Sequence, residues 1–99
     1  MRPIYVAQLD KLRPAVVLTR EGVRHRLRRV TIAPITSRIR GLSTEVAVGP
    51  ANGIDVPSVV SCDNILTVPS ELLGRRIGYL LPHQEAELAR AIRVAFDLA

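Results

Sequence analysis

Aromatic side chains are nearly missing from this 99-residue chain: Tyr5, Tyr79 and Phe96 are the three it has, and there is no tryptophan. Modules that read single-stranded nucleic acid by stacking successive bases, such as RRM and OB domains, need several exposed rings, so that class is disfavoured. Cysteine occurs once, at Cys62, which excludes an intrachain disulfide and points to a reducing compartment. One thiol and two histidines far apart in sequence, His25 and His83, make no zinc constellation, and the expectation is a protein without metal or other cofactor. No apolar run approaches the ~18 residues of a membrane span, and no charged segment leads into an apolar one at the start. A cytoplasmic protein with no membrane role is expected.

Lysine is scarce as well. Lys11 stands alone against thirteen arginines, and fourteen basic residues oppose nine acidic ones, for a net charge of +5. A polyanionic partner fits this balance, because the planar guanidinium donates parallel hydrogen bonds to phosphate and stays charged at any relevant pH. A GC-rich coding sequence that writes arginine for lysine would give the same bias. Hydrophobic residues make up 47% of the chain, almost all Val, Ile, Leu and Ala, enough for one economical core and a single domain over residues 1–99.

Short β-branched stretches at Ile4 to Leu9, Ala15 to Thr19 and Val30 to Ile35 read as strands separated by charged or Pro/Gly segments. Pro14 cannot donate to a ladder, so the second strand should begin there or lie at an edge, and Pro34 suggests a bulge or strand end. Thr44 to Val48 alternates as another strand, Gly49 to Pro57 is turn-rich, and Ser58 to Cys62 and Ile65 to Val68 return to β character. A helical turn is expected from Pro69 to Gly74, and a strand from Arg76 to Leu81. From His83 to Leu98 the period changes, with Leu88, Ile92, Ala95 and Phe96 on one face of an amphipathic helix. The sum is an α+β domain: a small, strongly curved barrel of five to seven strands with a C-terminal helix packed on it.

Five segments in order, "IYVAQLD", "RPAVVL", "APITSRIRGLSTEV", "PSVVSCDNILTV" and "RRIGYL", followed by the terminal helix, resemble the MazF/PemK toxin family over nearly the whole chain. The resemblance implies an SH3-like barrel of the kind shared with CcdB, a homodimer, and a cognate MazE-like antitoxin. It also implies metal-independent cleavage of single-stranded RNA (messenger, ribosomal or transfer), leaving a 2',3'-cyclic phosphate or 3'-phosphate and a 5'-hydroxyl. That chemistry needs a base for the ribose 2'-hydroxyl proton, charge stabilisation for the phosphorane oxygens and a proton for the leaving 5'-oxygen.

By the same resemblance Arg13, in "RPAVVL", matches the family's catalytic arginine, and a guanidinium is suited to electrostatic stabilisation more than to proton donation. Thr36, in "APITSR", is the second catalytic candidate, with Ser37 and Arg38 beside it as RNA contacts. Asp63, in "SCDN", occupies a position where relatives carry an acidic residue facing the base or ribose edge. The chain departs from the family in having Ser61 where PemK-like members have Arg, and Leu66 in "ILT" where many have "IRT". It departs again in the connection "LDKLRP", too short to fold far over RNA. The densest charge lies instead in "TREGVRHRLRRV", where Arg24, Arg26 and Arg28 are candidates for tracking the RNA backbone. Cys62 reads as a small buried hydrophobe. A second reading from another class is a noncatalytic nucleic-acid-binding or autoregulatory module on the same barrel; the joint presence of Arg13, Thr36 and Asp63 distinguishes the two.

Overall fold

The computed structural model describes residues 1–99. Seven strands form one curled antiparallel sheet: β1 (Pro3–Gln8), β2 (Leu12–Val17), β3 (Arg29–Thr36), β4 (Glu45–Val48), β5 (Ser58–Ser61), β6 (Leu66–Pro69) and β7 (Leu73–Tyr79). The spatial order is β4-β5-β3-β2-β1-β7, with β6 also on β3. The half of β3 from Arg29 to Ile32 pairs with β6, while its far end, Ile35 and Thr36, pairs with β5 on the same edge. A single-turn helix, α1 (Glu21–Arg24), leads into β3, and α2 (Pro82–Ala95) closes the chain. This is the curved sheet with a C-terminal helix that the sequence pattern anticipates.

Alternation along the central strands gives the sheet two buried faces. On one, Ile4, Val16, Ala33, Ile35 and Val60 pack with Leu88 and Ala91 of α2. On the other, Ala7, Ala15, Val17, Val30, Ile32 and Val68 form a second cluster, backed by Leu72 and Leu73 as the sheet curls over. Each fully buried Val or Ile contributes about 1.5–3 kcal/mol relative to exposure, so aliphatic packing alone supplies the core that aromatics would otherwise fill.

Boundaries shift from the sequence reading in ways that matter for the site. β2 starts at Leu12, ahead of Pro14, so Arg13 lies inside a strand and not in a loop. β7 starts at Leu73; the helical turn before it is confined to a 3₁₀ turn at Ser70–Leu72, and Gly74 continues the strand instead of ending a helix. α2 ends at Ala95, three residues short of the apolar pattern, leaving Phe96 and Leu98 exposed. The highly charged segment before β3 contains the single turn of helix α1.

One polar hub lies within this apolar interior. The amides of Asn52 and Gln84 bond head to tail, Nδ2 to Oε1 at 2.6 Å and Nε2 to Oδ1 at 3.0 Å. Asn52 also donates to the Tyr79 carbonyl and accepts from Gly49 N–H, while Gln84 donates to the Ala47 carbonyl and accepts from Leu81 N–H. Gln84 thereby caps the first turn of α2 from inside and ties it to β4, β7 and the turn at Pro50–Asn52.

Candidate active site

The geometry of the site follows from where the β2–β3 ladder stops. Its paired residues run from Val17 opposite Ile32 to Ala15 opposite Pro34. Pro34 has no amide hydrogen to carry the ladder on, and Pro14 next to it has none either. The same antiparallel register extended by two residues sets Arg13 opposite Thr36, and directly opposed residues project to one face of a sheet. Beyond the last rung the two strands bound a cavity of about 660 Å³ that both Arg13 and Thr36 line. Such a volume lies in the ~300–1,000 Å³ range of ligand sites. Two residues named from separate strands thus meet at one site.

The remaining walls come from three connections. The three-residue hairpin between β1 and β2 supplies Leu9 and Asp10; the segment between β3 and β4 supplies Arg38, Arg40 and Leu42; the 3₁₀ turn Cys62–Asn64 supplies Asp63 and Asn64, flanked by Ser61 and Leu66. The two family departures, Ser61 and Leu66, therefore sit on the cavity wall itself.

Arg13 is held by Asp10 through two parallel bonds, Nε to Oδ1 at 2.8 Å and a terminal nitrogen to Oδ2 at 3.1 Å. This fork raises the Arg13 pKa further and draws the Asp10 carboxyl down to about 2, the hydrogen bond from Arg13 being the main cause. Two of the five N–H donors of the guanidinium are engaged, and three remain to face an anion. The Thr36 hydroxyl oxygen accepts the Arg38 amide at 3.1 Å, which orients it and leaves its own hydrogen free to donate. Asp63 accepts the Thr44 hydroxyl on Oδ2 at 2.6 Å, with Oδ1 left open.

Arg13, Arg38 and Arg40 bring three positive charges to the cavity and Asp10, Glu45 and Asp63 three negative ones. They do not cancel chemically. Asp10 is matched by Arg13, Glu45 by backbone amides of Arg40, Gly41 and Leu42, and Asp63 in part by a hydroxyl. The two ion pairs in the molecule are Asp10–Arg13 and Glu21–Arg24, so the guanidinium groups of Arg38 and Arg40 stay uncommitted and the cavity presents positive heads.

Not all the residues singled out from sequence come together here. Ser37, next to Thr36, is exposed and does not line the cavity. Arg24, Arg26 and Arg28 precede the other end of β3, where Arg29 lies about 23 Å along the strand from Thr36, and none of the three lines the cavity. Arg24 is moreover engaged: it bonds Glu21 and the Tyr5 hydroxyl, and its guanidinium lies 5.2 Å from the centre of the Tyr5 ring. Arg26 and Arg28 are exposed. His25 and His83 are also outside the cavity. Cys62 is buried, its thiol pushed up to about 11 by burial and by the charge of Asp63, which suits a packing residue.

Sequence reasoning passed over Asp10, Arg40, Thr44, Glu45 and Asn64. Asp10 carried a usable signal, an acid three residues before the arginine across a tight hairpin. Glu45 carried none, because its role is to bond backbone.

Residues 3–96 match the model of the PemK-like, MazF-like toxin family of type II toxin-antitoxin systems. The chain belongs to that family. It is 62% identical over 98 residues to the endoribonuclease MazF3 of Mycobacterium tuberculosis, covering 99% of this chain and 95% of that protein. Its fold superposes on the Mycobacterium tuberculosis toxin MazF-mt6 with a TM-score of 0.97 at 61% identity, covering 99% of each chain. An endoribonuclease from a mycobacterial species, solved in complex with its cognate antitoxin, shares the fold at a TM-score of 0.87 and 23% identity, over 98% of this chain and 93% of that one. This toxin therefore carries the family's curled sheet, with the Arg13 and Thr36 cavity at one end of it.

Proposed function

We propose that this type II toxin cleaves single-stranded RNA in the cavity between β2 and β3, without a metal ion, and thereby inhibits translation and growth. The observation that carries the reading is that Arg13 and Thr36, from the two strands beyond the end of their ladder, line one cavity. The ribose 2'-hydroxyl gives up its proton as its oxygen attacks the adjacent phosphorus, the bond from phosphorus to the 5'-oxygen breaks as that oxygen takes up a proton, and the products are a 2',3'-cyclic phosphate (or the 3'-phosphate after hydrolysis) and a 5'-hydroxyl. Arg13, held by Asp10, stabilises the negative charge of the phosphorane, and the Thr36 hydroxyl donates to a non-bridging oxygen. Preorganised donors of this kind act without reorganising during reaction, and removing one typically costs about 10²–10³ in rate.

Arg38 and Arg40 contact flanking phosphates, Ser37 the backbone just outside the cavity, and the open oxygen of Asp63 the base or ribose edge. Arg26 and Arg28 meet RNA that extends along β3, with Arg24 serving mainly to fasten their segment to Tyr5. An RNA substrate supports action in the cytoplasm, and no helix is long and apolar enough to cross a membrane. Membership in a type II family supports a cognate MazE-like antitoxin as protein partner, and relatives are named endoribonucleases. Exposed Val94, Phe96 and Leu98 at the end of α2 and beyond it offer apolar surface for a second copy in a homodimer.

The test is incubation of purified protein with mixed RNA in excess EDTA and mapping of the new termini, beside Arg13→Ala and Thr36→Ala. Cleavage that persists in the chelator, yields 5'-hydroxyl ends and falls at least about a hundredfold in each variant is expected. Cleavage abolished by EDTA, or indifferent to both substitutions, contradicts the mechanism; RNA binding without cleavage indicates a noncatalytic binding module.

A further inference from the structure

The segment between β3 and β4 carries two of the cavity's free cations, yet it has no secondary structure to hold it. What holds it is one carboxylate. Glu45 Oε1 accepts the backbone N–H groups of Gly41 at 2.8 Å, Leu42 at 3.1 Å and Arg40 at 3.2 Å, and Oε2 lies 3.3 Å from the Arg40 nitrogen. The Glu45 N–H donates back to the Leu42 carbonyl at 3.1 Å, closing the turn reciprocally. Three successive amides can converge on one oxygen because Gly41 adopts the left-handed region at φ +76°, where a side chain would be strained. Thr44, the preceding residue, holds the opposite wall: its hydroxyl donates to Asp63, and its carbonyl accepts the Cys62 amide at 3.0 Å.

Granting RNA cleavage in this cavity, we propose that Glu45 is a positioning residue for substrate: its carboxylate, with Thr44 beside it, fixes the backbone from which Arg38 and Arg40 reach the RNA phosphates. The carboxylate lines the cavity, but three amide donors converge on its Oε1, so its charge is partly offset by backbone dipoles and repels the substrate less than a free anion would. Thr44, just before β4, and Glu45, its first residue, each tie down one wall of the cleft. The role lies in binding. The Glu45 carboxylate bonds only Arg40, Gly41 and Leu42, not the strands that carry Arg13 and Thr36.

The experiment compares wild type, Glu45→Ala, Glu45→Gln and an Arg38→Ala/Arg40→Ala double variant. Cleavage is followed as kcat and KM, and affinity for an RNA with a 2'-O-methyl group at the scissile ribose is followed against salt. Glu45→Ala is expected to raise KM by about tenfold with kcat within about threefold, and to lower the salt slope by roughly one unit, at about 0.7 for each single-strand phosphate that is no longer neutralised. Glu45→Gln retains the oxygen on which three amides converge and should recover most of the KM and slope. In the Arg38→Ala/Arg40→Ala background, Glu45→Ala should add little, since the cations it positions are gone.

A fold-supporting residue alone would lower the active fraction, and so apparent kcat, while leaving KM and slope in place; that pattern overturns the proposal, as does full additivity with the double variant. Amide hydrogen exchange separates this inference from the function it rests on. Faster exchange at Gly41 and Leu42 in Glu45→Ala establishes the clamp without RNA, and unchanged exchange refutes it. A wild-type protein that neither cuts nor binds RNA overturns the function and, with it, the consequence drawn for substrate.

Discussion

Arg13 depends on Asp10 for its aim. A free arginine at a strand start samples many rotamers, whereas the two-point fork at 2.8 and 3.1 Å leaves the remaining donors in one plane facing the cavity. Asp10→Asn keeps the shape but loses the charge and one acceptor, and a displacement of the reacting group by an ångström can cost about a hundredfold, so kcat should fall by about ten- to a hundredfold. Arg13→Lys, which cannot fork, should fall at least as far despite retaining its charge. Steady-state kinetics on one short RNA checks both. The pair also marks a pH window: the Asp10 carboxyl is held at about 2 against an ordinary 3.8, so its contribution to stability is complete above the unfolded value and is lost as pH falls from 3.8 through about 2. Thermal unfolding between pH 5 and 2 should therefore show a steeper acid loss in wild type than in Asp10→Asn, with the two curves parallel above pH 5. Equal slopes through that window would show that the pair does not form in solution.

Among the elements, the strands and α2 were legible from period alone, because each has an apolar face to bury and the alternation of β3 survives in its buried pattern. The cavity was not legible in that way. Arg13 and Thr36 are named by motif, but only the register shows that two prolines end the ladder where these residues face each other. Likewise, nothing in the sequence distinguishes Asn52 and Gln84 from surface amides, because their partners are each other and backbone groups of β4 and β7. Their burial makes them costly to alter. Asn52→Ala removes the partner of the Tyr79 carbonyl and of the Gly49 amide, while the Gln84 amide keeps Leu81 N–H and the Ala47 carbonyl, a loss of about 3 kcal/mol at ~1–3 for each of the two groups left unsatisfied. For a domain of this size the melting temperature should drop by roughly 12–24 °C, while kcat/KM of the folded protein at low temperature stays near wild type, since the hub lies outside the cavity. The same seam shows why Gly53 and Gly78 are glycines: a Cβ on either would run into the backbone carbonyl of Ile77 or Asn52, respectively, so Gly78→Ala should destabilise more than a strand glycine in open space.

At the scale of the whole molecule, five of the thirteen arginines fall into two groups toward the ends of β3, and the separation itself is testable. Arg13, Arg38 and Arg40 are at the Thr36 end; Arg26 and Arg28 precede Arg29, which lies about 23 Å along the strand from Thr36. A stacked strand advances ~3.4 Å per nucleotide, so roughly seven nucleotides running along β3 separate a phosphate at Thr36 from one beside Arg28. An RNA of five nucleotides centred on the cleavage site cannot reach both groups, whereas one of twenty can. Arg26→Glu with Arg28→Glu should therefore leave KM for the short RNA within about twofold, and weaken binding of the long one while lowering its salt slope by about 0.7 for each phosphate left without its arginine. Arg38→Ala, by contrast, should weaken both substrates alike. If the reversed charges affected neither RNA, the far group would be part of the solvated surface and its basicity would answer to an acidic partner protein instead; if they affected both equally, the effect would be the loss of long-range attraction to the whole molecule, which added salt would abolish within a Debye length of ~8 Å at physiological strength.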